Sequence, residues 1–503
     1  MYVTSSPFFK GDSIMFFKRK SNVIYRNYDS FGYITDNRNF GYKLADDDGN
    51  DIGDKIISQS GSIFFSVLDE KPQTLDCLAQ KIKMKFENVD IEIIKNDAME
   101  FYSLLESEGF VASGLTAKEC DEKDFAFSYK NAKINNNSNC SAINNFKKST
   151  QEFFDEYFNS KPQLTNLHIE ITSKCNERCI HCYIPHENKT ECIDSALMYN
   201  ILEQCRKMNV LHITISGGEP LLHDEFINFL RKCKEYNFSV NVLSNLTLLN
   251  EDILDEMKKN HLLSVQTSLY AMDANIHDAI TQVKGSFEKT KNAILTLVEN
   301  NIPLQISCPI MKQNIDYYKD VMSFGAKLNV KVGSDYVIIA KYNNTTQNLD
   351  NRLSIEDVGK IINQQLVNDP YYIESLQKEI ENKKEMNPDD FVCSICYSSI
   401  CIAETGNVYP CAGWQGCVVG NINKNSLNEI WTKSPKVQYL RNLRKRDFPK
   451  CIKCTDKEFC TMCMVRNANE HPLGDPLEVN DYFCRIAKIN KKIFLDQKYN
   501  LRN

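Results

Sequence analysis

Between residues 164 and 340, two hydrophobic periodicities take turns along the chain. The runs LHIEIT (167–172), HITIS (212–216), SVNVLS (239–244), LSVQTSLY (263–270), PLQIS (303–307) and NVKVGSDYVII (329–339) are short, apolar or alternating, and read as strands. Patterns near 195–208, 222–236, 251–260, 286–300 and 315–327 repeat at helical spacing. Six strands joined by helices predict a parallel sheet of right-handed βαβ units, curled into an open barrel or doubly wound. In either fold the chemistry belongs at the C-terminal ends of the strands.

Upstream, residues 1–115 read as a small α+β unit. Strand-like runs at 22–28, 41–44 and 55–59 precede two helical patterns. Leu75, Leu78, Ile82 and Phe86 share one helical face with Thr74 as N-cap, and Ile94, Ala98, Phe101 and Leu105 share another. Gly109 stops the second helix, and Phe110 and Val111 read as a closing strand, which together suggest a winged helix. Residues 116–160 form a linker: seven of the fifteen residues from Asn131 to Asn145 are Asn, which favours turns and solvation. Residues 161–340 are the βα segment, 341–390 a polar, partly helical bridge, and 391–503 a turn-rich tail. The tail reads as too poor in apolar sequence for a core of its own, so a metal is expected to organise it.

Composition narrows the classes. The chain has 503 residues, 60 Lys plus Arg and 66 Asp plus Glu, for a net charge of −6 and no basic block, which argues against nucleic-acid binding. No apolar run approaches the roughly 18 residues of a membrane span. The first residues show no long apolar stretch with a small-residue cleavage site, so the expectation is a cytoplasmic protein. In a reducing compartment, twenty cysteines point to metal and not to disulfides. Cys77, Cys120, Cys140, Cys192, Cys205, Cys233 and Cys308 are scattered and read as small buried hydrophobes. The other thirteen are grouped, and thiolates that close together repel one another unless a cation or cluster holds them.

Cys175, Cys179 and Cys182 form a C-x3-C-x2-C loop directly after the first strand of the βα segment. Three thiolates can ligate three irons of a [4Fe–4S] cluster and leave the fourth open to a ligand. A structural zinc site would more commonly use four ligands in C-x2-C pairs. After the second strand stands Gly217-Gly218-Glu219-Pro220, whose glycines permit close backbone approach and whose carboxylate can accept from an ammonium group. With these two motifs on successive strands, the chain resembles the radical S-adenosylmethionine (SAM) enzymes. Their signature is a CxxxCxΦC loop after strand one of a partial (β/α)6 barrel, followed by a GGEP-like turn. His181 stands here where an aromatic residue is more usual. The resemblance implies that Gly217, Gly218, Glu219 and Pro220 contact SAM, that Ser268 holds its ribose, and that Asn245 sits nearby in Ser244-Asn245-Leu246.

The tail resembles the SPASM extension of the same superfamily. Twelve residues separate Cys393 from Gly406, and Gly-Asn-Val-Tyr-Pro-Cys ends at Cys411. Cys451, Cys454, Cys460, Cys463 and Cys484 follow. Two fully ligated auxiliary [4Fe–4S] clusters need eight thiolates, and ten are available. The resemblance gives Cys393, Cys411 and Cys463, with Cys401 as a fourth, to auxiliary cluster I. It gives Cys451, Cys454, Cys460 and Cys484 to cluster II. Cys396, Cys417 or a substrate thiolate are alternatives for the fourth ligand of cluster I. Residues 61–111 resemble the peptide-recognition elements that capture a leader peptide as an added strand.

These resemblances imply a maturase of a ribosomally made precursor peptide, a radical SAM oxidoreductase with three [4Fe–4S] clusters and SAM. Its leader peptide would bind the N-terminal unit, and flavodoxin or ferredoxin would donate low-potential electrons. The implied product is an intramolecular Cys thioether, as in sactipeptide and bacteriocin biosynthesis. Carbon–carbon crosslinking and formylglycine formation on a sulfatase are the alternatives, and a non-catalytic peptide-binding scaffold is the reading from another class.

Overall fold

The computed structural model describes residues 14–37, 53–86, 88–124, 157, 161–260, 262–368, 387–460 and 462–500. These fall into two compact units, residues 1–161 and 162–503.

In the first unit, β1 (Phe16–Arg19), β5 (Gln73–Thr74) and β6 (Val111–Gly114) make an antiparallel sheet in the order β5-β1-β6. A meander of β2 (Ile24–Tyr28), β3 (Phe31–Thr35) and β4 (Asp54–Ser58) forms a second sheet. Helix α1 (Gln59–Ser66) follows β4 without a loop, because Ser58 Oγ accepts the Gly61 amide and caps it. Thr74 Oγ1 caps α2 (Leu75–Lys83) by accepting the Cys77 amide at 3.2 Å, and Asp90 caps α3 (Ile91–Ser107). Leu78, Ile82, Ile94, Ala98 and Leu105 all point into the core. Gly109, at φ +90°, ends α3 and turns Phe110 and Val111 into β6. The packed chain continues past residue 115. In α4 (Ala117–Glu122), Cys120 Sγ reaches the Ala112 carbonyl at 3.2 Å, and Lys18 pairs with Asp121 and Asp124 at 2.8 and 2.9 Å. The strand expected at 41–44 and the Asn-rich stretch lie outside the described residues.

The second unit is built on a nine-stranded sheet. Its first six strands are β7 (Asn166–Thr172), β8 (His212–Gly217), β9 (Ser239–Leu243), β10 (Ser264–Ser268), β11 (Leu304–Pro309) and β12 (Lys331–Asp335), all parallel. The intervening helices are α5 (Ser195–Lys207), α6 (Phe226–Glu235), α7 (Glu251–Asn260), α8 (Ala274–Thr281), α9 (Ser286–Glu299) and α10 (Tyr318–Leu328). Neighbouring strands follow chain order without reversal, which excludes a doubly wound sheet. The two faces say the same. Leu167, Ile169, Ile171, Ile213, Ile215, Val240, Val242, Val265, Leu304 and Ile306 belong to the helix-covered core. One residue out of phase on each strand stand His168, Glu170, Thr214, Ser216, Asn241, Gln266, Ser268, Gln305 and Ser307. A sheet covered by helices on both sides would be apolar on both. This one is a partial barrel with a polar lumen.

The tail does not stand apart from it. Beyond α11 (Ile355–Asn368), β13 (Ser399–Ala403) pairs in parallel with β7, Cys401 opposite His168, and continues through β14 (Asn407–Tyr409) to β15 (Gly420–Asn421). The following helices are α12 (Leu427–Lys433), α13 (Pro435–Asn442), α14 (Pro449–Ile452), α15 (Met464–Glu470) and α16 (Asp481–Asn500). Val408, Trp414, Ile430, Trp431, Leu440, Phe448, Val465 and Ile486 are buried in the same core as the barrel helices. The tail, expected to be too poor in apolar sequence for a core of its own, packs these residues into the barrel's core.

Candidate functional site

Strands β7 and β8 end side by side, and their exit turns are joined backbone to backbone. The Gly218 amide donates to the Thr172 carbonyl at 2.7 Å and the Glu219 amide to the Lys174 carbonyl at 2.8 Å. Only glycine fits this approach: a Cβ on Gly217 would lie 2.1 Å from the Thr172 oxygen, and one on Gly218 2.2 Å from that of Lys174. Gly217 also sits at φ +147°. The turn is thereby fixed against the stretch that leads into Cys175.

The cysteine loop is held from three further sides. The Arg178 and Ile180 amides donate to the Thr281 and Ile280 carbonyls at the end of α8, at 2.9 and 3.0 Å. Asn348 and Asn351 donate their side-chain amides to the His181 and Ile180 carbonyls, each at 3.1 Å. His181 Nε2 meets the Tyr270 hydroxyl at 2.9 Å, and desolvation pushes its ring down to about 4, so it is neutral at pH 7. Cys179 Sγ lies 3.3 Å from Glu177 Oε2. Desolvation lifts the Cys175 thiol to about 11 and that of Cys179 well above its ordinary value, so without a cation both stay protonated.

Two buried ionisable side chains, Glu177 and Lys189, line the same loop and act on each other, but neither fills its hydrogen-bonding capacity. Glu177, 4% exposed, leaves Oε1 unbonded, and desolvation pushes its carboxyl up to about 7. Lys189 is 8% exposed; among the described residues its ammonium hydrogen-bonds only the Glu177 carbonyl, at 3.4 Å, and it also acts on the Glu177 carboxyl and the Cys175 thiol. Buried charges of this kind are costly unless something bound to the loop meets them. Three thiols on one loop, a buried cation and a carboxylate oxygen without a hydrogen bond fit an iron–sulfur cluster carrying a charged ligand. Among the described residues, no three His, Cys, Asp or Glu side chains converge on one point as ligands of a single ion.

Glu219 is fully buried and braces the neighbouring strand exit. Its carboxylate accepts from Ser244 Oγ at 2.7 Å, from the Leu221 amide at 3.0 Å and from the Asn245 amide at 2.7 Å. A carboxylate has about four acceptor positions, so one on Oε2 remains. Burial raises this carboxyl to about 7. Asn245 Nδ2 donates to Asn176 Oδ1 at 2.8 Å, and Thr247 closes the ring by bonding both side chains. Ser268, at the end of β10 opposite Ser307, acts on the Tyr270 hydroxyl that contacts His181. The structure therefore brings Cys175, Cys179, Cys182, the Gly217–Pro220 turn, Asn245 and Ser268 to one rim of the barrel. Asn176, Glu177, Lys189 and Tyr270 complete that rim and were not singled out from sequence. The polar alternation of His168 and Glu170 within LHIEIT was the available sign of a polar lumen beneath it.

The tail cysteines separate into neighbourhoods. Cys411 feels both Cys393 and Cys463, while Cys451 feels Cys454, Cys460 and Cys484. Cys396, buried at φ +56°, feels Cys393, Cys411 and Cys417. Cys401 lies in β13 against Ala403 and Tyr409, and of the tail cysteines only Cys411 acts on it. Among the scattered cysteines, Cys120, Cys205, Cys233 and Cys308 are buried and Cys192 half-buried, while Cys77 is exposed; Cys140 lies outside the described residues.

A profile of the Radical SAM superfamily matches residues 169–325, and one for SPASM, an iron–sulfur cluster-binding domain, matches residues 393–455. The antilisterial bacteriocin subtilosin biosynthesis protein AlbA of Bacillus subtilis is 26% identical over 329 residues, covering 62% of this chain and 70% of AlbA. A PqqA peptide cyclase of Methylocella silvestris is 22% identical over 303 residues, covering 58% of this chain and 80% of the cyclase. The crystal structure of Streptococcus suis SuiB bound to precursor peptide SuiA matches with a TM-score of 0.56 at 16% identity. That match covers 93% of this chain and 99% of SuiB, and is a likeness of fold.

Proposed function

We propose, on the premise that the chain carries a Radical SAM domain and a SPASM iron–sulfur domain, that it matures a ribosomally made precursor peptide by forming intramolecular Cys thioethers. The observation that carries the reading is the joined exit of β7 and β8, which sets three thiols beside the Gly217–Pro220 turn above a polar lumen. When bound at Cys175, Cys179 and Cys182, a [4Fe–4S] cluster with SAM supplies a 5′-deoxyadenosyl radical able to take a carbon-bound hydrogen. The chain's own residues orient and enclose that chemistry. Gly217 and Gly218 fix the turn, Glu219 braces Ser244 and Asn245, and Tyr270, just beyond β10, holds His181. Cys393, Cys411 and Cys463, with Cys396 or Cys401, would hold one auxiliary cluster, and Cys451, Cys454, Cys460 and Cys484 a second.

Peptide maturation is supported by relatives whose names place them in bacteriocin biosynthesis and peptide cyclisation. The leader of the precursor would be captured by the first unit as an added strand. No helix among the described residues is long and apolar enough to cross a membrane.

The test is anaerobic incubation of the iron-reconstituted protein with SAM, a reductant and small cysteine-rich peptides encoded beside it. Thioether formation removes two hydrogens per crosslink, and tandem mass spectra place sulfur on the acceptor carbon. Deoxyadenosine release with carbon–carbon linked product would replace the thioether reading while keeping peptide maturation. No deoxyadenosine under any condition would remove both.

A further inference from the structure

Where α16 packs on the loop 451–460, the charge of the molecule changes sign. The chain carries −6, yet residues 450–460 and 481–492 together hold seven cations against three anions, a net of +4. One of those anions, Asp456, is buried and held by Lys491 at 3.0 Å. Lys450, Lys453, Arg485, Lys488 and Lys492 are exposed, and among the described residues none of them forms an ion pair.

Two of these cations, Lys450 and Lys488, reach the second cysteine group. Lys450 acts on both Cys451 and Cys484, and Lys488 acts on Cys484 and on Asp456. On α16, Cys484, Lys488, Lys491 and Lys492 share one face at i, i+4, i+7 and i+8. Lys491 crosses to the loop by donating to the Thr455 carbonyl at 2.7 Å. The four cysteines are half-buried, so they lie just beneath this surface. An ordinary solvated face balances both signs, and an excess of one sign repels itself without helping the fold.

We propose that this face docks an acidic one-electron carrier protein, which exchanges an electron with the cluster held by Cys451, Cys454, Cys460 and Cys484. The inference rests on the reading of those four cysteines as cluster ligands. The exchange moves one electron and no atoms: an oxidised carrier removes the electron left over from each crosslink and is itself reduced by one. Opposite charge speeds such encounters by steering, and salt abolishes the gain. The patch is centred on thiols, which favours a redox protein over an acidic peptide or a nucleic acid.

Flavodoxin is a suitable acidic probe. Its reduced form would be mixed with the iron-loaded protein in stopped flow at 50 and 300 mM NaCl, following flavin oxidation. The second-order rate should fall about tenfold across that range. The double variant Lys488→Glu, Lys492→Glu should lose about tenfold at low salt and show little salt dependence. Iron content and the endpoint of dithionite reduction should match the unmodified protein. A variant with intact iron that reacts at the original rate, or a rate indifferent to salt, overturns the proposal. Undiminished iron in Cys451→Ala would overturn the premise about the four cysteines, and the docking face with it.

Discussion

Tyr183 donates its hydroxyl to Glu170 Oε1 at 2.9 Å, while Gln415 Nε2 donates to the other oxygen at 2.6 Å. Tyr183 follows Cys182, and Gln415 lies between Cys411 and Cys417. One carboxylate on β7 thus ties the first cysteine loop to a cysteine loop of the tail. Glu170 is 1% exposed, and its desolvation outweighs both donors, raising the carboxyl to about 7.

That shift has a definite sign in stability. Below pH 4.5 the carboxyl is protonated whether the chain is folded or not. Between about 4.5 and 7 the unfolded chain releases the proton and the folded chain keeps it, so stability falls as pH rises. The slope is at most about 1.4 kcal/mol per pH unit and vanishes above about 7. Glu170→Gln removes this contribution. Urea melts of both proteins at pH 5, 6, 7 and 8 should show the original losing stability relative to the variant up to pH 7. A constant difference across the series would refute the raised carboxyl.

Gly218→Ala tests the junction of the two exit turns. The added methyl would stand 2.2 Å from the Lys174 oxygen and 2.5 Å from that of Ser173, both backbone atoms that cannot step aside alone. The segment leading to Cys175 must therefore move. The variant should lose the iron of that loop and SAM cleavage while keeping tail iron, read by iron content and deoxyadenosine release. Full iron with normal cleavage would show that the turn is slack.

The barrel was legible because each of its strands carries its own periodicity, and the cysteine and glycine motifs sit at strand ends where such folds place chemistry. What was not legible depends on distant partners. β13 joins β7 across more than two hundred residues, and nothing in SICIA announces that neighbour. Helix α8 was missed because it has only eight residues, though Asp273 caps it. The GGEP glycines read as close backbone approach to a ligand; that they also admit the backbone of residues 172–174 is a tertiary fact the motif does not record. Glu219 read as an ammonium acceptor, and its engagement with Ser244 and Asn245 is a tertiary fact that no local pattern records.

Replacing Cys175, Cys179 and Cys182 together by Ala should remove about one [4Fe–4S] cluster of three and abolish deoxyadenosine release. Retained release would sink the assignment. Single Cys396→Ser and Cys401→Ser variants then address auxiliary cluster I. Cys396 neighbours Cys393, Cys411 and Cys417, while Cys401 shares only Cys411, so iron loss should be the larger in Cys396→Ser. Equal iron in both variants would leave the fourth position to Cys417 or a substrate thiolate.

The first unit decides the substrate class. Residues 1–161 and 162–503 pack as separate bodies, and each has its own core. Every grouped cysteine lies in the second. A protein beginning at Pro162 should therefore bind iron and release deoxyadenosine with SAM alone at close to the full rate. Modification of an intact precursor should collapse, because capture of a leader as an added strand depends on backbone hydrogen bonds that only the first unit would offer. The isolated first unit should bind the leader peptide by itself, with slowed hydrogen exchange along one stretch of the peptide. If the unit binds no precursor while the shortened enzyme modifies one at full rate, its recognition role is wrong. Sulfatase maturation or a small-molecule substrate would then be the better reading.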